Sequence, residues 1–195
     1  TALTLHPCAV DEAGTPRAGS AAMELLTADA AVEPIFRRLA ARARALGFVL
    51  PTRRTTADPA LRLMVCGCEI EPIHATPDRV VFALPRDAGL ARLVSRAQAP
   101  SALRPWLDDR RRLGVRVSRI VLHGADGPRV IPLDHPGLGR GWWDDETGGN
   151  ARSRWTDGDA ALPDVSGVDR LEIRLAASGT YTLAEPEPPR ARLHA

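Results

Sequence analysis

From Pro51 onward, apolar residues recur at every second position in short runs, and each run is closed by a turn signal. A period of two places alternate side chains on opposite faces of a strand, so this stretch is confined to β architecture. Val115–Leu122 (Val-Arg-Val-Ser-Arg-Ile-Val-Leu) alternates most clearly, and Arg129–Leu133 returns against it across His123-Gly124-Ala125-Asp126-Gly127. Leu61–Cys66 and Glu69–Ile73 read as a hairpin about Gly67. Arg79–Leu84 and Leu90–Arg96 flank Pro85-Arg86-Asp87-Ala88-Gly89, and Ser153–Thr156, Ala160–Leu162, Leu171–Leu175 and Thr180–Leu183 follow. Turns at this spacing, with no helices between them, predict a mainly β fold: an antiparallel β-sandwich of roughly eight to ten short strands.

One segment breaks the pattern. Val32, Ile35, Phe36, Leu39, Ala43 and Leu46 recur at steps of three and four, an apolar stripe that predicts an N-terminal amphipathic helix packed on the sandwich. Asp29 is the expected N-cap, Pro34 is tolerable only in the first turn, and Gly47 is the expected stop. Residues 1–28, rich in Ala, Gly, Thr and Pro, read as an extended arm or linker with a short strand at Ala2–Leu5. Residues 29–184 form the helix-plus-sandwich domain, and the proline-bearing end at 185–195 reads as a flexible tail. With Thr1 in first place, the chain is expected to be a cleaved product or a piece of a longer polypeptide.

Composition excludes several classes. The formal charge of +2 is spread too thinly for an electrostatic nucleic-acid footprint. All 26 basic residues are arginine, a usage that reads first as codon bias. It still removes Schiff-base chemistry and the phosphate-cradling lysine of the P-loop. No apolar run is long enough for membrane insertion, and no signal-peptide pattern is present. Three cysteines do not describe a disulfide scaffold. Cys66 and Cys68, two apart, are expected on one core-facing side of a strand. A metal site there would need two further ligands, of which His74 is the nearest in sequence.

All four tryptophans, Trp106, Trp142, Trp143 and Trp155, fall in one Asp- and Arg-rich stretch. Indoles beside such residues serve as core anchors with a polar handle or as platforms for a planar or sugar ligand. Asp108-Asp109-Arg110-Arg111-Arg112 reads as a local ion-paired turn, or as Arg forks for a carboxylate, phosphate or sugar. In Trp142-Trp143, one indole should enter the core while its neighbour faces solvent or a groove. Trp155 is expected to be mostly buried, with Arg154 free to stack on an exposed ring or pair with Asp108 and Asp109. Asp157-Gly158 marks a tight turn; Asp157 and Asp159 offer oxygens to calcium but lack the rest of a calcium loop. The candidate ligand-binding set is therefore Trp106, Asp108, Asp109, Arg111, Trp142, Trp143, Arg154 and Asp157, with no catalytic residue, no metal site and no cofactor. Asp134-His135 is the one adjacent acid–imidazole pair and reads as turn chemistry; an enzyme built on Asp134, His135 and Asp157 is the least favoured reading.

The order of several segments adds a family. LARLVSRAQAP, DDRRRLGVRVSRIVL, PLDHPGLGRGWWDDE and RWTDGDAALP resemble the region downstream of the autoprocessing core in bacterial Hint (Hedgehog/intein-type) proteins. Ala2–Pro7, the Val32–Gly47 helix and the run Phe82–Pro85 fall where that family has comparable segments. The family's N-terminal Cys or Ser nucleophile, Thr-x-x-His block and terminal His-Asn pair have no counterpart here, so the resemblance implies the appended module rather than the self-cleaving engine. It implies an upstream Hint-type domain of the same polypeptide as partner and an extracytoplasmic setting. The expected function is a non-catalytic accessory module that binds carbohydrate or serves adhesion. The alternative is a structural cap that assists folding or autoprocessing of the upstream core.

Overall fold

The computed structural model describes residues 28–148 and 151–183. The expected arm, short strand at Ala2–Leu5 and tail fall outside the described residues, apart from Ala28. The first element is helix α1 (Asp29–Ala45). It begins one residue earlier than expected: Ala28 is the N-cap, without a side-chain cap bond, and Asp29 sits in the first turn, where its charge complements the helix dipole. Pro34 lies inside the helix, in the second turn rather than the first. Gly47 ends it as expected. At φ +88° it adopts the left-handed conformation, its N–H donates to the Arg44 carbonyl (2.9 Å), and the Phe48 N–H donates to the Ala43 carbonyl (3.0 Å). That pair of bonds is a Schellman motif.

Strands β1 (Thr55–Thr56), β2 (Arg62–Val65), β3 (Cys68–Ile70), β4 (His74–Ala75), β5 (Arg79–Ala83) and β6 (Ala91–Val94) follow. The β2–β3 hairpin corrects the cysteine reading. Val65 pairs with Cys68, leaving Cys66 (φ +48°) and Gly67 (φ +81°) as the two central residues of the turn. Both need positive φ, the geometry that matches the twist of the flanking strands. The cysteines therefore stand exposed at a hairpin tip instead of facing the core.

A single helical turn, α2 (Pro100–Leu103), interrupts the strands where none was expected, with proline at its start supplying the preset φ. The remaining strands are β7 (Val115–Gly124), β8 (Gly127–Ile131), β9 (Trp142–Gly148), β10 (Ala151–Thr156), β11 (Asp159–Ala161), β12 (Val168–Ser178) and β13 (Tyr181–Thr182). All pairings are antiparallel. The main sheet runs β4-β5-β12-β7-β10-β9, with β8 pairing the far half of β7, and a second sheet runs β11-β6-β2-β3. β1 and β13 form a two-stranded pair beside them.

One core joins the two larger sheets into a sandwich: Leu63 and Leu93 from the smaller sheet meet Phe82, Val117, Ile120, Leu171 and Ile173 from the larger. The alternation of β7 slips once, between Val117 and Ile120, where Arg174 pairs with Arg119 but Leu175 pairs with Val117. Such a bulge absorbs the Ser118-Arg119 pair and returns Ile120 and Leu122 to the core side. On the outer face of β12, the buried carboxylate of Glu172 receives Arg79 Nη2 (2.7 Å) and Arg174 Nε (2.7 Å). Those guanidiniums, Arg79 first, hold its pKa down at about 2. α1 meets the sandwich through Phe36, whose ring centroid lies 5.3 Å from that of Trp106.

Candidate functional site

Gly141 sets up the tryptophan region. At φ +79° it brings the start of β9 so close to β11 that a Cβ would lie 2.2 Å from the Asp159 carbonyl oxygen. Glycine alone fits there. Trp142 then enters the core, buried, and its Nε1 donates to the Ala161 carbonyl (2.6 Å). On β10 and β9, Arg154 pairs with Asp145 while Thr156 pairs with Trp142, so Trp143 and Asp144 together oppose Trp155. This bulge lets Trp143, Glu146 and Trp155 share the side opposite Trp142.

Arg154 departs from its expected role. Its guanidinium lies 5.7 Å from the ring centroid of the buried Trp142. It donates to the carbonyls of Trp143 (2.7 Å), Leu133 (2.8 Å) and Leu138 (3.1 Å) and pairs with Asp145, not with Asp108 or Asp109. With its Nε and Nη1 donors committed inside the protein, Arg154 is a structural pin for the loop over residues 132–141.

On the other side, Arg111 bridges Asp109 (2.8 Å) and Glu146 (2.8 Å) and lies 5.8 Å from the ring centroid of Trp143. Trp143 Nε1 donates to the Arg112 carbonyl (2.8 Å), and Trp155 Nε1 donates to Glu146 Oε2 (3.1 Å). Trp143 and Trp155 are both partly buried; Trp155 is covered over most of its surface but lies outside the core cluster. Hydrogen bonding from Arg111 holds the Asp109 carboxyl below the usual carboxylate range. It stays ionised at neutral pH, which suits ion pairing and not proton transfer. Glu146, which joins the two indoles, went unrecognised in the sequence because only the bulge reveals which side it faces.

Trp155 opens onto a groove of about 230 Å³ that includes Pro100, Leu103, Leu107, Leu113 and Thr180. Leu103, Arg104 and Thr180 also line a second groove, of about 510 Å³, which continues to Trp106 and the inner side of α1. Taken together as a furrow, the two adjoin at these shared residues beside α2; Trp155 lines one part and Trp106 the other. Arg44, Arg53 and Arg104 lie along it, and no carboxylate lines it among the described residues. Arg53 is steadied by a bond from its Nη1 to the Ala102 carbonyl (3.1 Å). None of these three arginines was singled out from sequence, since Arg44 and Arg53 reach the furrow only through the docking of α1.

The other candidates fall elsewhere. Asp108 is exposed and meets Arg110 only at 3.9 Å, a solvated pair of little energetic weight. Asp157 Oδ1 accepts the Asp159 N–H (2.8 Å), His135 Nδ1 accepts the Gly137 N–H (3.0 Å), and Asp134 pairs with Arg152 (3.1 Å). Each is occupied by local turn or surface bonding. Among the described residues no three His, Cys, Asp or Glu side chains come together as a metal site. A further cleft of about 530 Å³ beside Pro59, Pro72 and Val80 holds Asp58, Arg62 and Glu71, but Arg62 is paired with Glu69 and Glu71, and Asp58 with Arg96. No family model, curated protein or solved structure matches this chain.

Proposed function

We propose that this chain is a non-catalytic binding module whose ligand is an anionic carbohydrate lying in the furrow between Trp155 and Trp106. The observation that carries the reading is a pair of adjoining grooves with an indole in each, three arginines, and no carboxylate lining them among the described residues. Indole faces pack against the C–H faces of sugar rings, and guanidinium forks take carboxylate or sulfate groups in two parallel hydrogen bonds. Asp109, Arg111, Glu146 and Trp143 brace the Trp155 end and need not touch the ligand. The order of segments that resembles Hint-type proteins supports a place as the accessory module of such a polypeptide, in an extracytoplasmic setting where glycans are met.

The test is a titration with uronic-acid-containing and sulfated oligosaccharides beside neutral ones of equal length, read by intrinsic tryptophan fluorescence and calorimetry. Anionic sugars are expected to shift the emission, and Trp106→Ala and Arg104→Ala are each expected to weaken binding about tenfold, the usual weight of an interface anchor. Emission and heat that stay unmoved across the panel would reject the binding role. They would leave the structural cap as the better reading.

A further inference from the structure

We infer that α1 and the segment after it form a peripheral docking surface for an anionic lipid bilayer. The helix is turned so that only part of its apolar stripe meets the domain. Phe36, Ala40 and Arg44, at steps of four, line the cleft above Trp106. Of the rest of the stripe, Val32, Ile35 and Ala43 are partly covered, while Leu39 is 62 % exposed and Leu46 67 %. No residue of the helix is buried. Just after the Schellman turn, Phe48 (64 %) and Val49 (94 %) are exposed as well. Exposed apolar area of this extent marks an interaction surface rather than ordinary solvent contact.

Charge decides what covers it. Between Glu33 and Asp58 the chain carries Arg37, Arg38, Arg42, Arg44, Arg53 and Arg54 and not one carboxylate. Arg38 and Arg42 follow Ile35 and Leu39 by three residues, so they border the exposed stripe directly. The only ion pair on the helix among the described residues joins Arg37 to Glu33. A helix with an apolar face and an arginine border is built to lie in the interface of a negatively charged membrane, its apolar side sunk to the headgroup–acyl boundary. Among the described residues no helix is long and apolar enough to cross a membrane, and the contact inferred is a peripheral one.

Two other occupants fit less well. A second copy of α1 would set Arg37, Arg38, Arg42 and Arg44 against the same four arginines, with only Asp29 and Glu33 near the helix start to answer them, and an excess of like charge across a helix pair is destabilising. A protein groove shaped for a helix would leave Phe48 and Val49, beyond the helix end, uncovered; a bilayer covers both.

The test is co-sedimentation of the full chain with vesicles of phosphatidylcholine alone and of phosphatidylcholine with phosphatidylglycerol in equal amounts, at low and physiological salt. The chain is expected to pellet with the anionic vesicles and to stay in solution with the neutral ones. Arg38→Gln with Arg42→Gln should weaken binding about twenty-five-fold, the product of about fivefold per arginine at an anionic surface. Leu39→Ser with Leu46→Ser should abolish it. These side chains are exposed and lie outside the furrow, so thermal melting and oligosaccharide binding of the variants should stay as in the parent chain. Failure of the full chain to pellet with anionic vesicles would overturn the inference. So would equal binding to neutral vesicles, retention of binding by the Leu39→Ser, Leu46→Ser variant, or a stable dimer that this variant dissolves.

Discussion

Replacing Glu172 by glutamine tests whether ionic bonding on the outer face of the main sheet contributes to stability as its geometry indicates. The carboxylate is 9 % exposed and takes one guanidinium on each oxygen, Arg79 and Arg174, both at 2.7 Å. His123 Nε2 stands 3.8 Å away, beyond hydrogen-bond reach. The guanidiniums lower the carboxyl pKa from 4.5 to about 2. At about 1.4 kcal/mol per pKa unit, that gap corresponds to about 3 kcal/mol of folding stability at neutral pH. Arg79 and Arg174 are themselves 39 % and 47 % exposed, so screening reduces the expected cost of Glu172→Gln at pH 7 to about 2 kcal/mol. The sign with pH follows from the depressed value. Between the folded and unfolded pKa values the unfolded chain holds a proton that the folded chain does not, so the contribution is complete above pH 4.5 and declines as pH falls toward 2. Urea unfolding followed by tryptophan fluorescence should therefore show a large gap between parent and variant at pH 7. The gap should shrink to less than half near pH 3, because at that point most of the linkage difference has been spent. Asp58, Asp78, Asp109 and Asp164, whose carboxyls also lie below their ordinary range, are common to both proteins and cancel in the comparison. A gap below about 0.5 kcal/mol at pH 7, or one that persists unchanged in acid, would refute the reasoning.

Gly141→Ala should destabilise the fold by about 2–4 kcal/mol in the same urea assay, because it adds a clash with backbone at a positive φ; a loss under about 1 kcal/mol would show that β9 and β11 can separate cheaply. Trp155→Ala should cost only about 1–3 kcal/mol, less than for a fully buried indole, because the ring is partly exposed and the groove is open beside it. A melting temperature unchanged from the parent would remove Trp155 from any structural role. Cys66 and Cys68 should both react rapidly with an aromatic disulfide reagent in the folded protein, checked by mass mapping; protection until denaturant is added would mean the hairpin tip is covered. Arg154→Leu should loosen the loop over residues 132–141 and quicken its hydrogen exchange, since three backbone carbonyls lose their donor. Unchanged exchange there would count against the pin.

Strands were legible wherever an alternating run was bounded by a turn. The β2–β3 and β7–β8 hairpins, β5, β6, β10, β11 and β12 all lie at or near the predicted stretches. β9 was legible only at Trp142-Trp143; its continuation to Gly148 was hidden because Trp142-Trp143-Asp144-Asp145-Glu146 does not alternate, and the reason is the bulge opposite Trp155. The cysteine pair failed for a related reason. A spacing of two implies a shared face only inside a strand, and the turn at Cys66-Gly67 interrupts it. The split of Trp142 from Trp143 followed from strand geometry alone. The furrow did not, since its two indoles are distant in sequence and line adjoining grooves that share Leu103, Arg104 and Thr180.

The alternating pattern by itself determined that this chain would be antiparallel β with one leading helix, because the period of apolar residues selects the backbone conformation that can bury them. Glycine at position 47 likewise determined where the helix stops, through a local backbone preference. Which side of that helix meets the domain was decided only in three dimensions: Phe36 finds Trp106, and Leu39 and Leu46 are left facing out. The partners of Arg111, Arg154 and Glu172 were also tertiary decisions. A guanidinium will pair with any carboxylate or carbonyl within reach, and reach is set by how strands cross, not by distance along the chain.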